Sequence, residues 1–352
     1  MKKLSISILL LFVMILSITA VAAADDVTSD LAKSQTVDDS AALAVDSGTN
    51  VLSADPDKNF TTVQNLVDSA STTSNLVTLK DTYTRQTTDK SILIDREITI
   101  SGGALDANNL GGIFNVTANG KLTLAGVELI GGNDANGAIY NLGEVIVQEV
   151  AFKEMKNYTT IYNGGKLVIE YTTTPVTFAG DSDYAIYNEG TITTIDQAEF
   201  NGNGILNNGT IDSISDATFA KSIDNYGTIT NITANTIAIP TINNNGTIAS
   251  MKGKFGAVKN NDTITAIDNA TFDAAVDNYG IIAFISNSEF NNVLRNNESG
   301  AIGTISNVNI TQAFLNYGGI LAIVNSTFYK TFSNRVNGTI GAIDNITVTE
   351  AF

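Results

Sequence analysis

Tyr187-Asn188-Glu189-Gly190-Thr191-Ile192 and Asn225-Tyr226-Gly227-Thr228-Ile229 are two copies of one phrase that recurs to the end of the chain. A turn glycine stands at Gly190, Gly209, Gly227, Gly246, Gly280, Gly300, Gly318 and Gly338, and Asp262 takes the slot between 246 and 280. The steps between these slots are 19, 18, 19, 16, 18, 20, 18 and 20 residues. A period held near that length is the mark of a solenoid, in which each unit buries its apolar face only against its neighbours.

Four apolar rows follow from the alignment. The first runs Ile192, Ile211, Ile229, Ile248, Ile264, Ile282, Ile302, Ile320, Ile340, and the second runs Ile195, Ile214, Ile232, Met251, Ile267, Ile285, Ile305, Ile323, Ile343. The third is Phe200, Phe219, Ile237, Phe255, Phe272, Phe290, Ile310, Phe328, Val348, and the fourth is Ile205, Ile223, Ile242, Val258, Val276, Leu294, Phe314, Phe332. β-Branched residues and Phe, with Thr, Ser and Asn between them, favour strands over helices. Stacked parallel strands turn each row into a ladder with a spacing of about 4.8 Å. Two residues before the turn slot a polar row appears: Asn188, Asn207, Asn225, Asn244, Asn260, Asn278 and Asn316, with Asn141 and Asn163 ahead of them. Asn tolerates left-handed backbone, and its amide can bond the copy above and below, so this row reads as a turn-stabilising ladder rather than a ligand groove.

The expected fold is therefore all-β, a right-handed parallel β-helix of about 18–25 residues per coil. Right-handedness is expected because a left-handed form would show hexapeptide subrepeats. Earlier coils are longer, with slots Gly120, Gly143, Gly165 and Gly190 separated by 23, 22 and 25 residues. Residues 1–24 read as a signal peptide: Lys2 and Lys3, an apolar run from Leu4, and Ala22-Ala23-Ala24 before Asp25. Residues 25–55, rich in Ser, Thr, Asp and Ala, read as a flexible leader. Residues 56–103 are expected to form a small N-terminal α/β cap, with 104–352 as the β-helix. In the cap, Phe60, Val63, Val67 and Ala70 share a helical face, and Thr61 with Gln64 matches a capping box.

Composition narrows the chemistry. The charge is −17, with 19 basic against 36 acidic residues, and becomes −19 once Lys2 and Lys3 leave with the leader. Such a surface repels nucleic acid and anionic lipid. Neither nucleic-acid binding nor membrane insertion of the mature chain is expected. His and Cys are absent, which removes His-dependent nucleophiles, imidazole metal sites and disulfides. Trp is absent too, which weakens a reading built on aromatic sugar platforms. The enzymatic option left is polysaccharide cleavage by paired carboxylates. Asp196, Asp212, Asp216 and Asp268 are its candidate acids, and Arg85, Arg96, Arg295 and Arg335 are the four arginines a lyase could use. Gly131-Gly132-Asn133-Asp134 only approaches a calcium-binding repeat. Thirteen Asn-x-Ser/Thr sequons occur, as Asn-Gly-Thr is part of the turn grammar of the repeat; in a host with the machinery, Asn59 and Asn157 are expected to carry glycans ahead of the repeat positions.

Gly137-Ala138-Ile139-Tyr140-Asn141-Leu142-Gly143 and Ala185-Ile186-Tyr187-Asn188-Glu189-Gly190 resemble a known repeat class. It is that of adhesin-like surface proteins of methanogenic archaea and of polymorphic outer-membrane protein and autotransporter passengers. The resemblance covers about residues 90–350. It implies a non-catalytic, exported, adhesin-like protein that engages cell-surface glycans or proteins, with no cofactor or metal. A polysaccharide hydrolase or lyase and a purely structural envelope component are the alternatives.

Overall fold

The computed structural model describes residues 57–350 other than 72 and 157. The signal peptide and leader expected over 1–24 and 25–55 lie outside these residues. The described chain is an all-β parallel solenoid with a single helix.

That helix, α1 (Phe60–Ser69), closes the first coil, burying Phe60, Val63, Leu66 and Val67. Its N-cap is Asn59, whose side chain accepts from the Thr62 amide, so the capping box expected at Thr61 is not formed. Gln64 serves a different end. Its Oε1 accepts from the Leu93 amide at 2.7 Å, satisfying a strand edge that no earlier coil covers among the described residues. Asp89, only 7 % exposed, ties the helix start to the coil by accepting from the Phe60 and Gln86 amides and the Thr61 hydroxyl. Burial pushes its carboxyl up, but the three donors outweigh burial and hold it below the usual carboxylate value. A depressed folded-state value stabilises above the unfolded value and is lost as pH falls through the folded one. Amide protection of α1, taken relative to the intrinsic exchange rate at each pH, should therefore fall below about pH 4 in the native protein and stay flat there in Asp89→Asn.

Parallel pairing begins earlier than Ala104. Strand β1 (Leu76–Thr78) pairs with β4 (Glu97–Ser101), β2 (Thr82–Thr84) with β5 (Ala104–Asp106), and β3 (Ile92–Ile94) with β6 (Phe114–Val116). The strands assigned to the cap are already a full coil, and only α1 acts as a lid. From β1 to Thr339–Asp344 the first face repeats in about 14 turns. At about 4.8 Å per coil the stack is roughly 60 Å long.

The first, second and fourth rows pair as aligned, from Ile192↔Ile211 to Ile323↔Ile343 and from Ile205↔Ile223 to Phe314↔Phe332. The third needs one correction. Ile239, not Ile237, faces Phe255, because residues between Ala234 and Ile239 bulge out of register. Ile237 is left 55 % exposed while Ile239 is buried. The row also starts earlier than Phe200. Phe152, Phe178, Phe200 and Phe219 stack at centroid distances of 4.6, 4.8 and 4.5 Å with near-parallel rings.

The asparagine ladder is longer than the turn spacing suggests. Each Nδ2 donates to the Oδ1 of the next coil, without a break from Asn141 through Asn163, Asn188, Asn207, Asn225, Asn244, Asn260, Asn278, Asn296 and Asn316 to Asn334. Asn296 and Asn334 escape the count because their turns carry two extra residues before Gly300 and Gly338. The slot glycines have ordinary φ. Their need is space: a Cβ at Gly227 would lie 2.0 Å from the Gly209 carbonyl oxygen of the coil below.

Candidate functional site

Strand alternation decides what the solenoid shows on its third face. In Ile139-Tyr140-Asn141, Ile161-Tyr162-Asn163 and Ile186-Tyr187-Asn188, the flanking Ile and Asn are buried, so the tyrosine between them points outward. Stacking brings the three together: Tyr140 and Tyr162 lie 5.0 Å apart and nearly parallel, and Tyr162 meets Tyr187 edge-on at 5.6 Å. Tyr158 and Tyr184 flank this row, with Tyr158 edge-on to both Tyr184 at 5.5 Å and Tyr187 at 5.7 Å. Tyr226, Tyr279 and Tyr317 occupy the turn position just after the ladder asparagines Asn225, Asn278 and Asn316. Eight of the eleven tyrosines of the chain thus lie along one face or at the turn that ends it.

The phenols are organised by carboxylates. Glu189 accepts from the hydroxyls of both Tyr162 and Tyr187, and Tyr184 donates to Asp224 at 3.1 Å. The Glu189 bond, with burial, pushes the Tyr162 hydroxyl up to about 12. Burial and the Asp224 carboxylate push Tyr184 to about 12 as well. Both stay neutral donors at any physiological pH. Conversely, the two phenols hold Glu189 below its ordinary range. Between Tyr158, Asp183, Tyr184, Lys221, Ser222 and Asp224 lies a shallow pocket of about 340 Å³. A second, of about 540 Å³, lies further along the same face between Tyr279, Arg295 and Tyr317.

The acids singled out for polysaccharide cleavage do not converge on a cleft. Asp212 is exposed on the first face. Asp196 ends its strand opposite Ser215 of the next coil. Asp216 adopts a positive φ of 49° at the following corner and accepts from the amide and side chain of Asn235. Asp268, coils away, accepts from Ser286, Asn287 and Asn269. Despite partial burial, these donors lower its carboxyl, the reverse of what a general acid requires. The arginines are dispersed as well. Arg85 donates to the Gly112 and Asp89 carbonyls, Arg96 pairs with Asp68 and Asp95, and Arg295 pairs with Asp277. Arg335 is exposed in a turn.

Asp134 accepts from the Asn136 amide in its own loop. Among the described residues, no group of three or more His, Cys, Asp or Glu side chains is placed to hold a metal ion. Asn59 is engaged as the helix cap, and Asn157 lies outside the described residues. No helix among the described residues is long and apolar enough to cross a membrane.

Counting turns also overlooked a second, outer asparagine row at the corner after the second isoleucine. Asn269, Asn287, Asn307, Asn325 and Asn345 all take φ near 50°. Asn307 bonds Asn287, and Asn345 bonds Asn325, each at 2.8 Å. Its signal was Ile-x-Asn, repeated at 267–269, 285–287, 305–307, 323–325 and 343–345. Searches against protein-family models, curated proteins and solved structures return no match for this chain.

Proposed function

We propose that the chain is an exported, non-catalytic, adhesin-like binding protein of the cell surface or surroundings, whose tyrosine face engages glycans or proteins of another surface. The carrying observation is the concentration of eight tyrosines along one face and the turn that ends it, where rigid rings with polar tips offer contact area at low entropic cost. The resemblance of the Ile-Tyr-Asn repeats to adhesin-like surface proteins agrees with this reading, as does the leader-like sequence of residues 1–24. The net charge of −17 disfavours nucleic acid and anionic lipid as partners.

Two experiments test it. The mature protein is expected to start near Asp25 by intact mass and to bind whole cells or a glycan array. Tyr162→Ala together with Tyr187→Ala should cut that binding at least about tenfold, while the fold persists by circular dichroism. Incubation with a polysaccharide panel should release no new reducing ends or unsaturated products. Turnover abolished by Asp216→Asn would replace this reading with a hydrolase or lyase. A protein that binds no surface would be an envelope scaffold.

A further inference from the structure

The tyrosine face is occupied differently along its length. Towards the C-terminal coils it carries the chain's own cations: Lys259 Nζ lies 5.5 Å from the centre of the Tyr279 ring, and Arg295, paired with Asp277, lines the pocket between Tyr279 and Tyr317. Towards the N-terminal coils the same arrangement of tyrosines beside carboxylates recurs at Tyr158, Tyr184, Asp183 and Asp224. Among the described residues no cation lies over those rings, although Lys221 lines the pocket. Tyr158 is 42 % exposed. Asp224 accepts from Tyr184 and Asn243, one on each oxygen, whereas Asp183 accepts no hydrogen bond and forms no ion pair among the described residues. Lys221 lines the same pocket and forms no ion pair among the described residues. A cation over an aromatic ring with a carboxylate beside it is held by both the ring quadrupole and the opposite charge. The overall charge of −17 draws such a ligand in.

We propose that the Tyr158–Asp183–Tyr184 pocket receives a lysine or arginine side chain from a basic segment of a partner protein. The partner completes there the cation-on-tyrosine arrangement that Lys259 supplies over Tyr279 further along the rod. This rests on the reading of the chain as a binding module and names the chemistry of its partner. Lys221 is then a weak competitor of the incoming cation rather than a ligand-binding group, and that gives the proposal a sign that a sugar site would reverse.

The test uses the full mature chain and a short oligolysine peptide, with its fully acetylated form as the uncharged control. The peptide should bind in a salt-sensitive manner and the acetylated form should not. Tyr158→Ala and Asp183→Asn should each weaken binding about tenfold. Asp212→Asn, an equal charge change on the first face, should leave it unchanged, and Lys221→Gln should strengthen it several-fold. Equal weakening by Asp183→Asn and Asp212→Asn would mean diffuse attraction to an acidic rod, and would overturn the pocket. Weakening by Lys221→Gln, with binding of a neutral polysaccharide lost in Tyr158→Ala, would make it a sugar site instead. If oligolysine fails to bind while cells or glycans still do, this inference falls and the binding-module reading stands. If nothing binds, both fall.

Discussion

Phe272→Ala is expected to lower the unfolding free energy by about 3–5 kcal/mol. The side chain is fully buried, with Phe255 and Phe290 stacked on either side at 5.5 and 4.8 Å. Those rings belong to strands whose register is fixed by backbone pairing, Phe255↔Phe272↔Phe290, so neither can tilt far to fill the void. Truncation removes both the transfer energy of a phenyl ring and the contacts its neighbours made to it. Ile237→Ala provides the contrast. An alignment by spacing puts Ile237 in the same row, but its 55 % exposure places it outside the core. Its loss should change stability by no more than about 0.5 kcal/mol. Urea unfolding of both variants checks the pair, and equal effects would contradict the bulge between Ala234 and Ile239. Because each coil touches only its neighbours, the Phe272 defect should also broaden the transition as the two halves of the rod uncouple.

That contrast also shows where the fold was legible in the sequence. Row positions close behind the turn glycine, such as Ile192 and Ile195, sit at constant offsets, so counting alone registers them. Offsets drift where a strand bulges or where the chain loops between strands. Four residues bulge before Ile239, two extra residues lengthen the turn after Asn296, and residues 171–176 form a loop whose Thr172 and Thr173 are pinned by Glu149. Each insertion hides one member of a row without disturbing the stack, because backbone pairing restores register on the far side. The tyrosine face was hidden for a different reason. Ile-Tyr-Asn appears at 139–141, 161–163 and 186–188, and the repeat aligns these tyrosines, but only the buried Ile and Asn on either side turn them outward into one row. The absence of Trp also argued against aromatic platforms, although tyrosine supplies the ring and a hydroxyl besides. Catalytic candidates were chosen by residue type alone, and only the paired coils reveal that Asp216 and Asp268 serve corners of the backbone.

Asn278→Asp is expected to be the more damaging of two changes at one ladder position, and only at neutral pH. Asn278 is fully buried, and its Nδ2 donates to Asn296 Oδ1 at 2.8 Å, the Gly280 carbonyl at 3.1 Å and the Ala301 carbonyl at 3.2 Å. Its Oδ1 accepts from Asn260 Nδ2 at 2.7 Å. Alanine leaves these partners unpaired at a cost of about 3 kcal/mol, largely independent of pH. Aspartate keeps the shape but sets an oxygen against three acceptors, with the Asn260 amide as its one donor. Ionised, it should cost about 3–5 kcal/mol, as an uncompensated buried charge does. The group relieves this by staying protonated, which raises its folded-state value above the unfolded one near 3.9. A raised value means that the folded state binds the proton more tightly. Relative stability is then greatest below the unfolded value and is lost as pH rises through the folded one. The stability difference between Asn278→Asp and the native protein should therefore widen from about pH 4 towards pH 7, while that for Asn278→Ala stays flat. An Asp variant as stable as the native protein at pH 7 would mean that water reaches the ladder. The row would then be a set of separate turn bonds, not a continuous buried chain in which every amide points the same way along the rod.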